Sequence, residues 1–368
     1  MPHSSHFGVE PGVTIPPKSS PHGIRITVVV TAYNRREFVL DALKSVINQT
    51  LPREDFDVIL VTNFTDPLLQ EFCFTNDIKT VCYEGGMGEY ILTGLRLASG
   101  EVMAFLDDDD MWTRDRLQRI STFFANLPDL GLYRNAIRYV NWAGDPVQYL
   151  RLVERRSRSP ESGPLLLRGP ERFHKFQLLV NNSASFNVSS MAVRRDILLD
   201  HISTIGHIRG STDELLFVLT CFSDFSICID PLPLTLYRLS GTNVSAQNVG
   251  AHKAAEWERQ LHCLGVLQNI GGSLPHEAPA EVMDYLSLLR AEYETLQCIF
   301  RPDATRLQVL RSLLLLLRRR LVSNPLKTRL LLFGALAVFI SPELTSRVYF
   351  QWQVASQRRV NRGPGLSR

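Results

Sequence analysis

One segment places a row of acids directly after an apolar run: Phe105-Leu106-Asp107-Asp108-Asp109-Asp110-Met111-Trp112. The apolar residues 102–106 have the length of a strand that is buried on both faces. A helical pattern follows over residues 113–124. The acids therefore stand at the C-terminal end of a strand, which in an open α/β sheet is the edge where ligands bind.

The four adjacent acids repel one another, and each has a raised pKa unless a cation neutralises the group. A hard divalent cation, Mg²⁺ or Mn²⁺, meets this need, because it binds one or two carboxylates and leaves positions open for phosphate oxygens. The pattern predicts a metal site that holds a diphosphate. The alternative is a solvated acidic turn in which Asp110 caps the following helix.

Composition limits the class of protein. A length of 368 residues predicts about two domains, and 45% hydrophobic with 21% charged residues is typical of a globular chain. The net charge of +3 is too small to indicate a nucleic-acid partner. The six cysteines form no metal-binding pattern, and residues 1–23 lack the apolar core of a signal sequence. We expect a flexible N-terminal tail, reduced thiols and a cytoplasmic location.

Three strands precede the acids. Residues 26–30, 56–61 and 80–83 are apolar or β-branched runs separated by helical patterns. Strands that alternate with helices predict an α/β fold with a doubly wound, mostly parallel sheet. The third strand leads into residues 85–88, Gly-Gly-Met-Gly, which either cradle a phosphate at the start of a helix or form a plain turn.

The chain after the acids continues the α/β pattern. Strands are expected within residues 130–142, within 187–195, and as a pair at 225–229 and 234–239. Residues 151–170, rich in Arg, Ser, Gly and Pro, predict a mobile loop. Its arginines either close over a diphosphate or face solvent.

The C-terminal part has a different pattern, and we expect three regions: a tail (1–23), an α/β domain (24–248) and a helical, basic region (249–368). The apolar run 330–340 is too short to span a bilayer, which needs ~20 residues. The helices of the last region either lie at a membrane surface, with Arg and Lys on anionic head groups, or pack on the main domain or a second subunit.

Four segments, taken in order, resemble the family-2 inverting glycosyltransferases of the GT-A fold, in the nucleotide-diphospho-sugar transferase superfamily. They are residues 28–37 (VVVTAYNRRE), 43–50 (LKSVINQT), 98–112 (ASG followed by the acidic segment) and 237–245 (YRLSGTNVS). The resemblance covers about residues 26–245. It implies the fold of that family and a site for a nucleoside-diphosphate sugar, with UDP or GDP as the nucleotide.

Five residues are expected at the donor nucleotide. Thr31, Ala32 and Tyr33 would line the base, with Tyr33 packing against its ring. Asn63 stands where relatives usually carry acids that contact the base and ribose, and an amide can make such contacts without charge. Gly86, in the glycine loop, belongs to the same expected site.

The acids receive their expected roles from the same resemblance. Asp107 and Asp109 match the family's Asp-x-Asp motif and would hold ribose and metal, and Asp108 would lie at the nucleotide. Asp213 takes the place of the second acid of the family's Glu-Asp pair, which implies the general base. The alternatives are that Glu214 is the base, or that Asp213 caps the helix that follows it.

The implied reaction is metal-dependent, inverting transfer of a sugar to a hydroxyl of a glycan or lipid-linked acceptor. Such a transfer needs a carboxylate that takes the acceptor proton and a cation that neutralises the leaving diphosphate. The chain departs from the family at Asn63, at Leu92 where an Asn is common, at Thr212 and at Ser240. The alternative is therefore a catalytically silent sugar-nucleotide-binding or scaffold protein.

Overall fold

The first half of the sheet consists of four parallel strands. The computed structural model describes residues 24–147, 163–239 and 251–300. In it β1 (Ile26–Ala32), β2 (Phe56–Thr62), β3 (Ile78–Cys82) and β4 (Val102–Asp107) lie in the order β3-β2-β1-β4. All three predicted strands and the strand before the acids are present. The near-continuous burial of β1, β2 and β4 is typical of parallel strands covered on both faces.

Four helices cover the two faces of this half. They are α1 (Val39–Ile47), α2 (Pro67–Thr75), α3 (Met87–Leu97) and α4 (Arg116–Asn126). Buried residues of α1, α2 and α4 form one core on one face, whereas α3 contributes to a second core on the other. The α/β fold class predicted from the sequence is confirmed.

The second half of the sheet mixes strand directions. Its order beyond β4 is β8-β6-β9-β5, with β7 also paired to β9. β8 runs antiparallel to its neighbours β4 and β6, while β6 and β9 are parallel. The strands are β5 (Met111–Trp112), β6 (Leu130–Val140), β7 (Leu165–Leu167), β8 (Met191–Arg194) and β9 (Ser226–Arg238).

The predicted pair of strands at 225–229 and 234–239 is wrong, because β9 is one continuous strand. Pro231 and Pro233 lie within β9 and have no N–H to donate to a neighbouring strand. The register against β6 shifts near Asn135 and Ala136, and such irregularities accommodate proline within a strand. β5 and β7 escaped prediction because two and three residues are too few to show a period.

Five short or buried helices lie between the strands of the second half. They are α5 (Glu171–His174), α6 (Phe176–Asn181), α7 (Arg195–Leu199), α8 (Ile202–Ile205) and α9 (Thr212–Phe222). Every residue of α9 except Asp213 is buried. A helix that is apolar on nearly all sides belongs in the protein interior, and α9 accordingly lies in the core on the α3 face.

Two long helices, α10 (Ala251–Gly272) and α11 (Ala280–Phe300), pack against each other and against α9. Their buried residues, among them Leu264, Leu267, Val282 and Leu286, join the same core as α9. For α10 and α11, packing on the main domain is therefore the arrangement that the structure shows. No helix in the described ranges has the length and apolar character needed to cross a bilayer.

Several expectations lie outside the described residues. These are the N-terminal tail, residues 148–162 of the basic loop region, Ser240, the domain boundary near 248, and the helices expected beyond residue 300. They stay predictions. The five cysteines whose side chains are described are all free thiols: Cys73, Cys82, Cys221, Cys228 and Cys263.

Candidate active site

The C-terminal ends of β1, β2 and β4 meet at one edge of the sheet. In the parallel register Thr31 pairs with Asp107, and the Thr31 hydroxyl donates to Asp107 Oδ1 at 3.2 Å. The loops after β1 and β2 are joined by Asn34 and Asn63, because the Asn34 N–H donates to Asn63 Oδ1 (2.9 Å) and Asn63 Nδ2 donates to Asn34 Oδ1 (2.8 Å). Strand order alone thus brings together three segments that the sequence analysis assigned to the donor.

The acidic cluster, Asp107 to Asp110, lies mostly inside the protein. Asp108, Asp109 and Asp110 are 2%, 4% and 1% exposed. The solvated acidic turn considered above is therefore wrong. Asp110 does not cap α4, since the residue before that helix is Asp115 and β5 stands between.

Arg35, in the loop after β1, is the cation that faces the acidic cluster. Its Nε donates to Asp108 Oδ2 at 3.3 Å, its second terminal nitrogen also contacts Asp108, and Nη1 donates to Asp109 Oδ2 at 2.6 Å. No role was predicted for Arg35, although it lies within the segment 28–37. The sequence marks it only as a basic residue in a loop at the edge of the sheet where ligands bind.

The electrostatics of the cluster are dominated by burial. Burial, then the neighbouring Asp109 charge, raises the pKa of Asp107 to about 7, and burial raises the pKa of Asp108 to about 7 although Arg35 opposes the shift. The pKa of Asp110 lies well above its usual range for the same reason. For Arg35, burial favours the neutral form, but the charges of Asp109 and Asp108 outweigh it and raise the pKa. Burial therefore disfavours the ionised form of these carboxyls, and a nearby cation would stabilise it.

The last acid of the cluster is fixed from two sides. Asp110 Oδ1 accepts from the backbone N–H of Arg238 and Oδ2 accepts from Asn187 Nδ2, both at 3.0 Å. Arg238, itself buried, also donates through Nε to the Asp109 carbonyl oxygen at 3.0 Å. The ends of β4, β8 and β9 are thereby joined behind the acids. No role was predicted for Asn187 or Arg238, although both lie next to or within predicted strands.

Asp213 lies in the first turn of α9 and faces the same edge. Its Oδ2 accepts from the Asn187 backbone N–H and its Oδ1 from the Glu214 N–H, each at 3.1 Å. Burial raises the pKa of Asp213, an effect that these two N–H groups oppose. The carboxylate is thus held in place, and its raised pKa makes it a better proton acceptor than an exposed aspartate.

Glu214 faces away from Asp213. Both of its carboxylate oxygens accept from the Tyr285 hydroxyl of α11, at 3.0 and 2.9 Å. The Tyr285 hydroxyl also pairs with the Ser185 hydroxyl at 2.8 Å. Of the two acids considered as the base, Asp213 is the one connected to the acidic cluster, through Asn187.

The remaining expected donor residues lie around this edge. Ala32 is fully buried, whereas Tyr33 is 50% exposed with its ring edge against Tyr90 (6.2 Å between centroids). Gly86 precedes α3, and its N–H donates to the Glu89 carboxylate at 2.9 Å. The Gly88 N–H donates to the Ile208 carbonyl at 2.9 Å. These two N–H groups are engaged within the protein, which favours the plain turn over the phosphate cradle.

A divalent cation fits the acidic cluster when phosphate oxygens complete its shell. No group of three or more His, Cys, Asp or Glu side chains in the described ranges has the arrangement of a complete metal site. Magnesium and manganese sites of this class use one or two carboxylates plus substrate phosphates, so a partial set is the expected one. Burial disfavours the ionised form of Asp107 and Asp108, and a bound cation would stabilise that form; this is the observation that supports the fit.

Residues 27–202 match the family described as Glycosyl transferase family 2. The match spans a little under half of the chain, and the sheet order with its acidic strand end is the GT-A fold, so both expectations are confirmed.

Relatives and solved structures agree with this assignment. The chain is 26% identical over 172 residues to a poly(ribitol-phosphate) beta-glucosyltransferase of Bacillus spizizenii, a match covering 44% of this chain and 27% of that protein. The structure of Staphylococcus aureus TarS residues 1–349 in complex with UDP-GlcNAc has a TM-score of 0.51 at 17% identity, covering 90% of this chain and 93% of that one. GalNAc-T7 with UDP, GalNAc and Mn²⁺ has a TM-score of 0.52 at 12% identity, covering 79% and 54%. At these identities the two structures show the shared fold alone.

Proposed function

We propose that the protein is an inverting glycosyltransferase that moves a sugar from a nucleoside-diphosphate sugar to a hydroxyl acceptor with the help of a divalent cation. One observation carries the proposal. Asp213 and the acidic cluster, more than 100 residues apart in sequence, are joined through hydrogen bonds of a single residue, Asn187. A base and a cation site at one sheet edge are the two elements that such a transfer needs.

The donor nucleotide is proposed to bind at the ends of β1 and β2. Thr31, Ala32 and Tyr33 would line the base, and the exposed ring of Tyr33 offers a stacking surface. Asn63 and Gly86 complete the proposed nucleotide site. The TarS and GalNAc-T7 structures contain UDP-GlcNAc and UDP, which makes UDP-sugars the first donors to test, followed by GDP-sugars.

The donor diphosphate is proposed to bind beside the acidic cluster. Asp107 and Asp109 would hold Mg²⁺ or Mn²⁺, and Asp108 would lie at the nucleotide. When bound, the cation supplies the positive charge that stabilises the leaving diphosphate. Because Arg35 now bonds to Asp109, this proposal requires Arg35 either to share that carboxylate or to turn toward the phosphates.

In the proposed transfer step, Asp213 accepts the proton of the acceptor hydroxyl. The acceptor oxygen attacks the anomeric carbon as its proton passes to the Asp213 carboxylate, and the bond from that carbon to the β-phosphate oxygen breaks. The nucleoside diphosphate leaves with the bonding electrons, and the anomeric configuration inverts. The two N–H groups on Asp213 keep its oxygens oriented throughout.

The acceptor is proposed to be a glycan or a lipid-linked glycan at the cytoplasmic face of a membrane. The Bacillus spizizenii relative is named for a poly(ribitol-phosphate) acceptor, so a ribitol phosphate polymer is the first to test. The basic C-terminal sequence supports a membrane surface as partner. Flotation of the full chain with anionic liposomes, compared with a chain ending at residue 300, tests the membrane part.

The proposal is tested by calorimetric titration of UDP and GDP with and without Mn²⁺, followed by assays of UDP release from UDP-sugars. Metal-dependent binding that weakens roughly tenfold or more in Asp109→Asn is expected, since metal ligands are lost. Asp129→Asn is the matched control, because Asp129 is an exposed carboxylate paired with Arg168 at 3.0 Å. Metal-independent binding, or equal binding by both variants, would contradict the proposed site.

A catalytically silent nucleotide-binding protein is the second candidate. Asn63 brings no charge to the place where relatives carry acids, and its amide is already bonded to Asn34. Metal-dependent nucleotide binding without sugar transfer or donor hydrolysis would favour this candidate.

A further inference from the structure

Asn187 occupies a special position before β8. It is 6% exposed and has φ 64° and ψ 101°, a backbone conformation that non-glycine residues rarely adopt. Its carbonyl oxygen accepts from the Ser190 N–H (3.0 Å) and hydroxyl (2.7 Å), which holds the turn closed. Strain of this kind persists only where the surrounding structure enforces it, and it is concentrated at functional sites.

The unusual backbone conformation directs two donors of Asn187 to two different acids. The main-chain N–H reaches Asp213 Oδ2 at 3.1 Å, and the side-chain amide reaches Asp110 Oδ2 at 3.0 Å. Asn187 therefore links the acidic cluster to Asp213 through its own two hydrogen bonds.

The carbonyl oxygen of the Asn187 side-chain amide shows that this arrangement is energetically unfavourable for one polar atom. Its Oδ1 atom is buried and has no hydrogen-bond partner among the described residues. Buried polar atoms are nearly always paired, so an unpaired one calls for a reason. The reason visible here is that the amide must turn its NH₂ group toward the Asp110 carboxylate, which leaves the oxygen behind.

We propose that Asn187 is a positioning residue, which fixes the candidate base Asp213 relative to the acidic cluster that holds the donor diphosphate. This inference rests on the proposed glycosyl transfer and deepens it. In-line attack requires the acceptor oxygen, the anomeric carbon and the leaving oxygen to be aligned. A misplacement of about 1 Å typically costs on the order of 100-fold in rate.

The test separates catalysis from donor binding. Asn187→Gly keeps the N–H donor and tolerates the positive φ, but removes the amide from Asp110. Asn187→Asp keeps the shape and places a carboxylate against Asp110. The controls come from the same region: Ser183→Gly, at φ 59°, and Asn181→Asp, which is exposed at the end of α6.

The assay measures kcat and KM with UDP-GlcNAc or UDP-glucose, whichever the wild type uses, in Mn²⁺, together with the Kd of UDP. For Asn187→Gly we expect kcat to fall about 10- to 100-fold while KM for the donor and Kd for UDP stay unchanged. Asn187→Asp should lose more, since two carboxylates would repel each other. Both controls should retain wild-type kcat.

Three outcomes would overturn the inference. Wild-type kcat in Asn187→Gly, alongside an active wild type, would overturn the positioning role and leave the proposed function intact. Equal loss of UDP binding and kcat would make Asn187 a structural or donor-site residue. Absence of turnover by the wild type with every UDP- and GDP-sugar tested would overturn the proposed function itself, and the positioning role with it.

Discussion

The protein has two groups of acids at its candidate site, and they differ in one contact: an ion pair is present at Asp108 and Asp109, whereas Asp213 and Glu214 are bonded to neutral donors. The acidic cluster after β4 is crowded, and the contact that offsets its charge is a cation, Arg35. Asp213 and Glu214, at the start of α9, instead accept hydrogen bonds from neutral N–H and hydroxyl groups. The first arrangement suits a group that binds positive charge, and the second suits a group that accepts a proton.

The difference also separates the two neighbours on α9. Asp213 is linked to the acidic cluster through Asn187, whereas Glu214 is linked to α11 through Tyr285. Two adjacent acids on a helix point about 100° apart, so they meet different surroundings. The comparison therefore predicts a chemical role for one and a structural role for the other.

The largest expected effect is on kcat in Asp213→Asn. The amide keeps the shape of the carboxylate but cannot take the acceptor proton, so we expect kcat to fall by about 10²- to 10⁴-fold. Donor KM and UDP affinity should stay close to wild type, because the donor diphosphate binds elsewhere. Steady-state kinetics with calorimetry on the same preparation measure both quantities.

Glu214→Gln is the control for Asp213→Asn. Glutamine can still accept from Tyr285, so we expect nearly unchanged kcat. A severe loss in Glu214→Gln with normal activity in Asp213→Asn would exchange the two roles and contradict the comparison.

The next effect is on stability and tests the cluster. Arg35→Gln removes the cation from Asp108 and Asp109, and losing one partner of a largely buried pair costs about 3 kcal/mol of unfolding free energy. Saturating Mn²⁺ should restore part of this loss, since it supplies the missing charge. Urea denaturation in EDTA and in Mn²⁺ gives both values.

Arg168→Gln is the matched control for Arg35→Gln, because Arg168 pairs with Asp129 at the surface. Exposed pairs contribute about 0–1 kcal/mol, so little change is expected with or without the metal. If Mn²⁺ stabilised Arg35→Gln no more than Arg168→Gln, the cluster would not be a cation site.

The two regions also differ in how far the sequence predicted them. The apolar run of β4 and the acids at its end are contiguous. One segment therefore predicted the strand, its position at the ligand-binding edge of the sheet and the metal site. The same holds for the parallel half of the sheet, where each strand is a short apolar run. By contrast β9 contains two prolines and pairs with β6, almost a hundred residues earlier in the chain, and such long-range pairing leaves no local pattern.

The residues at the site follow the same division. Asp213 was predicted from the family resemblance alone, since an acid at a helix start is equally suited to capping. Asn187 acts through an unusual φ and through contacts with two distant segments. Neither feature can be predicted from the residues next to it in the sequence. Arg35 faces acids more than 70 residues away. The sequence gives the type of each side chain, whereas the fold determines which side chains contact one another.

A smaller effect follows from the pKa values of the cluster. Burial raises the folded-state pKa of Asp108 to about 7, above its value near 3.9 in an unfolded chain. Between these values the folded state holds more protons, so this group's contribution to stability is present at low pH and is lost as pH rises to 7 and above. In EDTA, the Tm of Asp108→Asn relative to that of wild type should rise by roughly 6 °C between pH 5 and pH 8.

Thermal unfolding measured across this pH range checks the sign, with Asp129→Asn as the exposed-carboxylate control. Mn²⁺ should reduce the difference, because the metal favours the ionised carboxylate. A difference between Asp108→Asn and wild type that does not depend on pH would show that Asp108 is already ionised throughout.

The smallest effect concerns the acid that we assign to structure. Tyr285→Phe removes the hydroxyl that donates to Glu214, and a hydrogen bond to a charged group contributes about 1.5 kcal/mol at the low end of its range. Tyr90→Phe, which loses a bond to the neutral Tyr83 carbonyl, should cost less. Lower stability of Tyr285→Phe with unchanged kcat would show that Glu214 has a structural role, in which it stabilises the packing of α11 on α9. A loss of kcat as large as in Asp213→Asn would instead make α9, α11 and the acidic cluster one catalytic unit.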